Sequence, residues 1–230
     1  MVNVNIPPQK VIASTDSINK SVAMGLETID ILKDVSLIIH EGASASISGV
    51  SGSGKTTLLG ILAGLDLPTS GTVNLLDRKI NDMDEDQRAQ LRCGRVGFVF
   101  QSFHLLPNLT ALENVSLALE VVPGSQQIRE RSLTALEHVG LAARSRHLPS
   151  QMSGGEQQRV ALARAIVTEP AILFADEPTG NLDHATSGQI EGMMFSLCKD
   201  FNSALVVVTH DKALAEKCDQ HHIIEAGRLL

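Results

Sequence analysis

The 230-residue sequence has no tryptophan and no tyrosine, and aromatic residues make up only 3% of it. Its core must therefore be aliphatic, and the 43% hydrophobic content supplies one. A chain of this length can bury a substantial core as one domain. Long apolar runs are also missing. Stretches such as Ala171–Ala175 and Ala204–Val208 are five residues long, far short of the ~20 that a membrane-spanning helix needs. If the protein works at a membrane, another chain must supply the spanning part. Basic runs are absent as well. With 19 basic and 26 acidic residues the net charge is −7, which disfavours a nucleic-acid partner. The first ten residues lack an apolar segment, so no secretion signal is expected. Cys93, Cys198 and Cys218 are odd in number and widely spaced, which fits neither a disulfide framework nor a zinc pattern and suits a reducing cytosol.

Against these absences stands one dense motif. Residues 49–56 read Gly-Val-Ser-Gly-Ser-Gly-Lys-Thr, the phosphate-loop pattern, between the strand-like Ala45–Ser48 and the helix-like Thr57–Leu65. Backbone N–H groups of such a loop cradle a phosphate chain. Lys55 can reach the outer phosphates, and the Thr56 hydroxyl can ligate Mg²⁺. The expected phosphate-binding set is Gly49, Val50, Ser51, Gly52, Ser53, Gly54, Lys55, Thr56 and Thr57.

Around this loop the patterning predicts an α/β core. Val11–Thr15, Thr28–Leu32, Val35–Ile39, Ala43–Ser48, Thr72–Leu76 and Val96–Phe100 read as strands, with Asp82–Arg92 as a solvated helix. Thr110 and Glu113 form a capping box before a helix over Asn114–Leu119. Ile128, Leu133, Leu136 and Val139 mark an amphipathic helix. The continuous apolar runs Ala171–Ala175 and Ala204–Val208 have the character of central parallel strands buried on both faces. A mostly helical insertion over about 102–158 separates the two halves of the core.

Asp176 and Glu177 directly follow one of these buried strands. Ligands of parallel sheets bind at the carboxyl ends of strands, so both acids point toward the phosphate loop. The first can help hold Mg²⁺, and the second can orient or deprotonate an attacking water, help worth about 10²–10⁴ in rate. Without the loop, the same pair would read as a solvated turn. Ser153, Gly154, Gly155 and Glu156 form a second capping box. The helix it starts, expected over Gln157–Ile166, offers free N–H groups and a positive dipole end to an anion. Alone, this is an ordinary capped helix.

The order decides. Phosphate loop, Gln101 at a strand end, Ser-Gly-Gly-Glu-Gln, apolar strand with Asp176-Glu177, Asn181-Leu182-Asp183, then His210 after a buried strand: this series resembles the ATP-binding cassette (ABC) ATPases over essentially the whole chain. The resemblance implies one domain over 1–230, with a phosphate-loop NTPase core (about 1–101 and 159–230), an N-terminal antiparallel β subdomain and a helical subdomain (about 102–158). It implies ATP and Mg²⁺ as ligands, and a head-to-tail homodimer with ATP between the phosphate loop of one chain and the Ser-Gly-Gly segment of the other. Ser153 and Gly155 would then contact the γ-phosphate held by the partner's Lys55. Gln101 would sense Mg²⁺ and water and link to a membrane partner. Asp176 would join Thr56 at the metal, Glu177 would be the catalytic base, His210 would contact the γ-phosphate, and Asp183 would couple the two sites. The resemblance further implies a cytoplasmic subunit, peripheral on the bacterial inner membrane, driving a permease-like integral membrane protein.

Three departures from the family pattern stand out. No aromatic occupies Ser21–Ala23, where the family often stacks one on adenine, so Val22 or a neighbour is left for a weaker base contact. Met152 and Glu156 replace the commoner Leu and Gln. Gly180-Asn-Leu-Asp183 replaces Ser-Ala-Leu-Asp. The last two, with the Phe98–Val115 segment, are similar to the lipoprotein-releasing and macrolide-efflux subgroup (the LolD and MacB type), including its YbbA-like members. Phe103–Pro107 is then a contact for the transmembrane partner or plain core packing. Two other classes compete: an ABC ATPase of cofactor assembly or nucleic-acid work, and a non-catalytic ATP-gated module. The acidity disfavours nucleic-acid work, and intact Lys55, Asp176, Glu177 and His210 disfavour the non-catalytic module.

Overall fold

A computed structural model describes residues 10–25 and 27–230. Two sheets enclose the phosphate-loop helix. The first is antiparallel and has the order β2-β1-β4-β5, where β1 is Val11–Met24, β2 Glu27–His40, β4 Ser70–Leu75 and β5 Arg78–Lys79. The second is β10-β9-β3-β8-β7-β6, from β3 (Ser44–Ser48), β6 (Val96–Phe100), β7 (Ile172–Asp176), β8 (Ala204–Val208), β9 (Gln220–Glu225) and β10 (Arg228–Leu229). It is parallel throughout except where β10 turns back on β9.

The two five-residue apolar runs are the centre of this sheet, and their alternation feeds two cores. Ile172, Phe174, Ala204, Val206 and Val208 face helix α1 (Lys55–Leu62) and the antiparallel sheet. Leu173, Ala175, Leu205 and Val207 face the opposite side. There they meet α3 (Ala111–Glu120), α4 (Ile128–His138), α5 (Gly154–Ile166) and α6 (His184–Asp200). Burial on both faces explains why these strands read as unbroken apolar runs. With no tryptophan or tyrosine, a single Phe174 is the largest fully buried side chain, set among aliphatics.

The structure revises several expected elements. Thr28–Leu32 and Val35–Ile39 are one strand, β2, bent at Asp34, whose φ of 54° places it in the left-handed region. The register with β1 slips near this point, so a bulge absorbs what looks in sequence like a break. Helix α2 (Glu85–Arg92) starts at Asp84 with its own capping box. Helix α5 runs unbroken through residue 158, the expected end of the insertion, because Ser153 already caps it. The patterning predicts no element over α6, α7 (Lys212–Ala215), β9 or β10. In α6 two glycines weaken the helical signal, and in β9 two histidines mask the alternation.

Candidate active site

The loop after β3 is shaped by what lies beneath it. A Cβ on Gly49 would stand 2.2 Å from the Ile224 carbonyl oxygen, and Gly54, at φ 106°, would drive one to 2.8 Å from Leu32. Only glycine lets the backbone lie this close to β9 and β2. Gly54 starts α1 without any side-chain cap, which leaves the first-turn N–H groups free for an anion. Lys55 is 8% exposed and donates to the Gly49 and Val50 carbonyls at 2.9 Å each. It is held by its own loop, in place to exchange those carbonyls for phosphate oxygens. The buried Ser53 hydroxyl has no partner among the described residues. Ser51, Gly52 and Thr56 are exposed at the rim, while Thr57 is half-buried.

The carboxyl ends of β3, β7 and β8 bring the separate sequence motifs together. Thr56 Oγ1 lies 3.4 Å from Asp176 Oδ1. Burial raises the Asp176 carboxyl above its ordinary value; the Thr56 hydroxyl opposes this, the Glu177 charge adds to it, and Lys55 opposes it. A half-buried carboxylate beside a hydroxyl is a pair of hard oxygens suited to Mg²⁺. Glu177 takes a left-handed φ of 47°, held by its N–H donating to Val208 O at 2.9 Å. That conformation is unfavourable for a non-glycine residue by about 1–2 kcal/mol, and strain of this kind clusters at functional sites. Its Oε2 meets His210 Nδ1 at 2.9 Å, with the histidine side chain 72% exposed. Among the described residues, Glu177 Oε1 has no protein partner.

Gln101 leaves β6 next to Asp176, since Phe100 pairs with Asp176. Its amide donates to Asn181 Oδ1 at 3.0 Å, and Asn181 returns a bond to the Gln101 carbonyl. Gln101 is thus engaged by Asn181 rather than by the Thr56–Asp176 pair. Sequence reasoning gives Asn181 no role of its own, because its partner Gln101 lies 80 residues away in the chain.

The remaining expected residues sit apart from the loop. Ser153 Oγ accepts from Glu156 N at 3.3 Å, and Glu156 Oε2 accepts from Ser153 N at 2.9 Å. The Ser153 N–H holds the Glu156 carboxyl below the usual range. A Cβ on Gly155 would meet Thr186 of α6 at 2.5 Å, and one on Gly154 would touch Leu182, so the starts of α5 and α6 are packed together. Asp183 caps α6 through Thr186 N and Oγ1, bonds that lower its carboxyl. Among the described residues, no hydrogen bond or ion pair joins Ser153, Gly154, Gly155, Glu156 or Asp183 to the phosphate loop. A separate groove of about 740 Å³ is lined by Arg92, Cys93, Phe98, Phe100, Val121 and Arg164, among others. Arg164 donates to the carbonyls of Phe103 and His104 at its edge. No helix among the described residues is long and apolar enough to cross a membrane.

The ABC transporter family pattern matches residues 32–180, which hold the phosphate loop, the Ser153 helix start and the Asp176–Glu177 pair. The chain belongs to the ABC transporter family. It is an ATP-binding, ATP-hydrolysing cassette of that family. It is similar to the "Uncharacterized ABC transporter ATP-binding protein YbbA" of Escherichia coli K12, with 50% identity covering 96% of this chain and 98% of the relative. It is also similar to the "Lipoprotein-releasing system ATP-binding protein LolD" of Legionella pneumophila strain Lens, with 46% identity over 95% and 97%. Among solved structures, the dimeric cassette MJ0796 bound to ADP and Pi superposes with a TM-score of 0.88 at 41% identity, over 95% of this chain and 96% of that one. These relatives bear out the resemblance to LolD and YbbA, as the solved structures do the ABC ATPase fold.

Proposed function

We propose that this ABC ATPase is the hydrolytic subunit of a membrane transport or force-transmitting system, and that it works as a head-to-tail homodimer around two Mg·ATP. One observation carries the dimer: the loop, Asp176, Glu177 and His210 converge within one chain, while the exposed Ser153 helix start touches none of them. A second copy, turned head to tail, would bring that start to the phosphate. The dimeric ADP- and Pi-bound relative supports this reading.

In the proposed site the N–H groups of Gly49–Thr57 cradle the triphosphate and Lys55 moves from the Gly49 and Val50 carbonyls to its outer oxygens. The orphaned Ser53 hydroxyl is a ready donor. Thr56 and Asp176 would hold Mg²⁺, with Gln101 beside them. When bound, Mg²⁺ supplies neutralisation of the phosphate charge. Glu177, with Oε1 unengaged, accepts the proton of the attacking water, and His210 orients Glu177 and reaches the γ-phosphate. Ser153, Gly154, Gly155 and Glu156 close the site from the second chain, and Asp183 carries the closure to the other site. We divide the chain into a core (about 1–101 and 159–230) and a helical unit (about 102–158).

The partner we propose is a permease-like integral membrane protein, docked at the groove beside Phe103–Pro107, which places this subunit on the cytoplasmic face of a bacterial inner membrane. LolD, as its name states, belongs to a lipoprotein-releasing system, so a related extraction task is the substrate class we propose. The test is recovery of Glu177→Gln from native membranes with Mg·ATP, with bound chains identified by mass spectrometry. An integral membrane protein with few spans and large extracytoplasmic domains is the expected result. Soluble partners alone, from membranes that contain the bait, would overturn the transport reading.

A further inference from the structure

Gln158 of α5 is fully buried, yet it is polar and has no place in the proposed chemistry. Its Nε2 donates to the Pro178 carbonyl at 2.5 Å and reaches the Phe100 carbonyl at 3.4 Å. Both neighbours are acceptors, so the amide orientation is set by its partners. Its Oε1, equally buried, has no partner among the described residues. Phe100 immediately precedes Gln101, and Pro178 immediately follows Glu177. The strands that end there, β6 and β7, are paired neighbours. One side chain therefore spans the ends of two strands, one residue from each of two proposed site residues. Gln158 also lies five positions after Ser153, about 7–8 Å along the same helix. Six residues on, Arg164 grips the Phe103 and His104 carbonyls, and both of these residues are left-handed. Helix α5 thus holds the stretch from Phe100 to His104 at two points and the Glu177–Pro178 turn at one.

We propose that Gln158 is a positioning residue for ATP hydrolysis: its amide ties the helix that starts at Ser153 to the main chain beside Glu177 and Gln101. A displacement of the Ser153 end would be passed to the Glu177 turn through this bond. The inference rests on the assignment of Glu177 as base.

The test uses the full chain and compares Gln158→Met, which keeps the volume and removes the donor, with Gln158→Glu, which can donate only when protonated. Mg·ATP affinity, KM and kcat are measured per folded, nucleotide-binding chain, beside wild type and Glu177→Gln. Gln158→Met is expected to bind ATP within about twofold of wild type and to lose about tenfold or more in kcat, as misplacement of a catalytic group does. Gln158→Glu is expected to recover relative to wild type as the pH falls from about 8 to about 6, because burial among carbonyls favours its protonated, donating form. Gln158→Met shows no such recovery. Unchanged kcat, a loss confined to KM or to nucleotide binding, or pH profiles that are the same for both variants would overturn the role of Gln158. Wild-type turnover by Glu177→Gln would instead sink the assignment of the base.

Discussion

Helix α1 starts at Gly54 with nothing capping it, whereas α5 starts at Ser153 inside a reciprocal box with Glu156. Both are glycine-rich starts with a positive dipole end. The α1 end has no side-chain cap and places Lys55 beside its first-turn amides, held by loop carbonyls. The α5 end satisfies its own N3 amide and keeps a carboxylate in its first turn. On the proposed reading, one receives phosphate with its own first-turn amides and the lysine beside them. The other is a self-satisfied structure that can meet a phosphate only if something brings one, and it meets it with its own negative charge nearby. Free amides beside a cation point to primary binding, and a capped, acidic start points to contact made late and weakly.

The sharpest way to break this contrast is Lys55→Ala. Charge-assisted bonds contribute about 1.5–3 kcal/mol each, so loss of contacts to two phosphates should weaken Mg·ATP binding about 10²–10⁴-fold. Equilibrium titration checks it, and tight binding by the variant would remove the loop's primacy. Glu177→Gln should keep binding and lose about 10²–10³ in kcat, read in single turnovers. It should also accumulate as a dimer with ATP in size-exclusion runs, and a monomer there would separate the two helix ends for good.

Smaller effects refine the picture. Val22 is 39% exposed on β1 and pairs with Ile29, which is 46% exposed, so the strands that run past the loop offer an aliphatic face and no ring. Val22→Tyr should tighten ATP by about 1–3 kcal/mol through base stacking and raise the preference for ATP over UTP in competition binding. An unchanged preference would place the base elsewhere. Glu156→Gln should lower the thermal midpoint by about 1–3 °C through loss of charge at the helix start, yet strengthen ATP-driven dimerisation. The sign with pH follows from its carboxyl, which is depressed below 4.5 by the Ser153 N–H. Its stabilisation is present above that value and is lost as pH falls through the folded pKa. A midpoint difference between wild type and variant that persisted in acid would contradict the capping role.

Legibility followed locality. The loop, the Thr110- and Ser153-capped helices and the two apolar strands are each specified within a few residues, by spacing and by side chains that satisfy neighbouring N–H groups. Asn181, Gln158 and Ile224 were not legible as site-forming residues, because each acts on a partner tens of residues away. Strand β9 shows why. Its His221 and His222 look polar in sequence, but β3 alongside makes the segment a strand whose Ile224 carbonyl presses against Gly49.

By itself, then, the sequence marked out the glycine-rich loop with its lysine, the paired acids and the capped helix start at Ser153, because glycines, adjacent acids and capping boxes act at short range. Only the tertiary structure decided that Glu177 faces His210, that Gln101 is held by Asn181, and that the Ser153 start lies beside α6 instead of over the loop. Those outcomes depend on strand order and on the close packing of two cores, neither of which any short stretch of chain encodes.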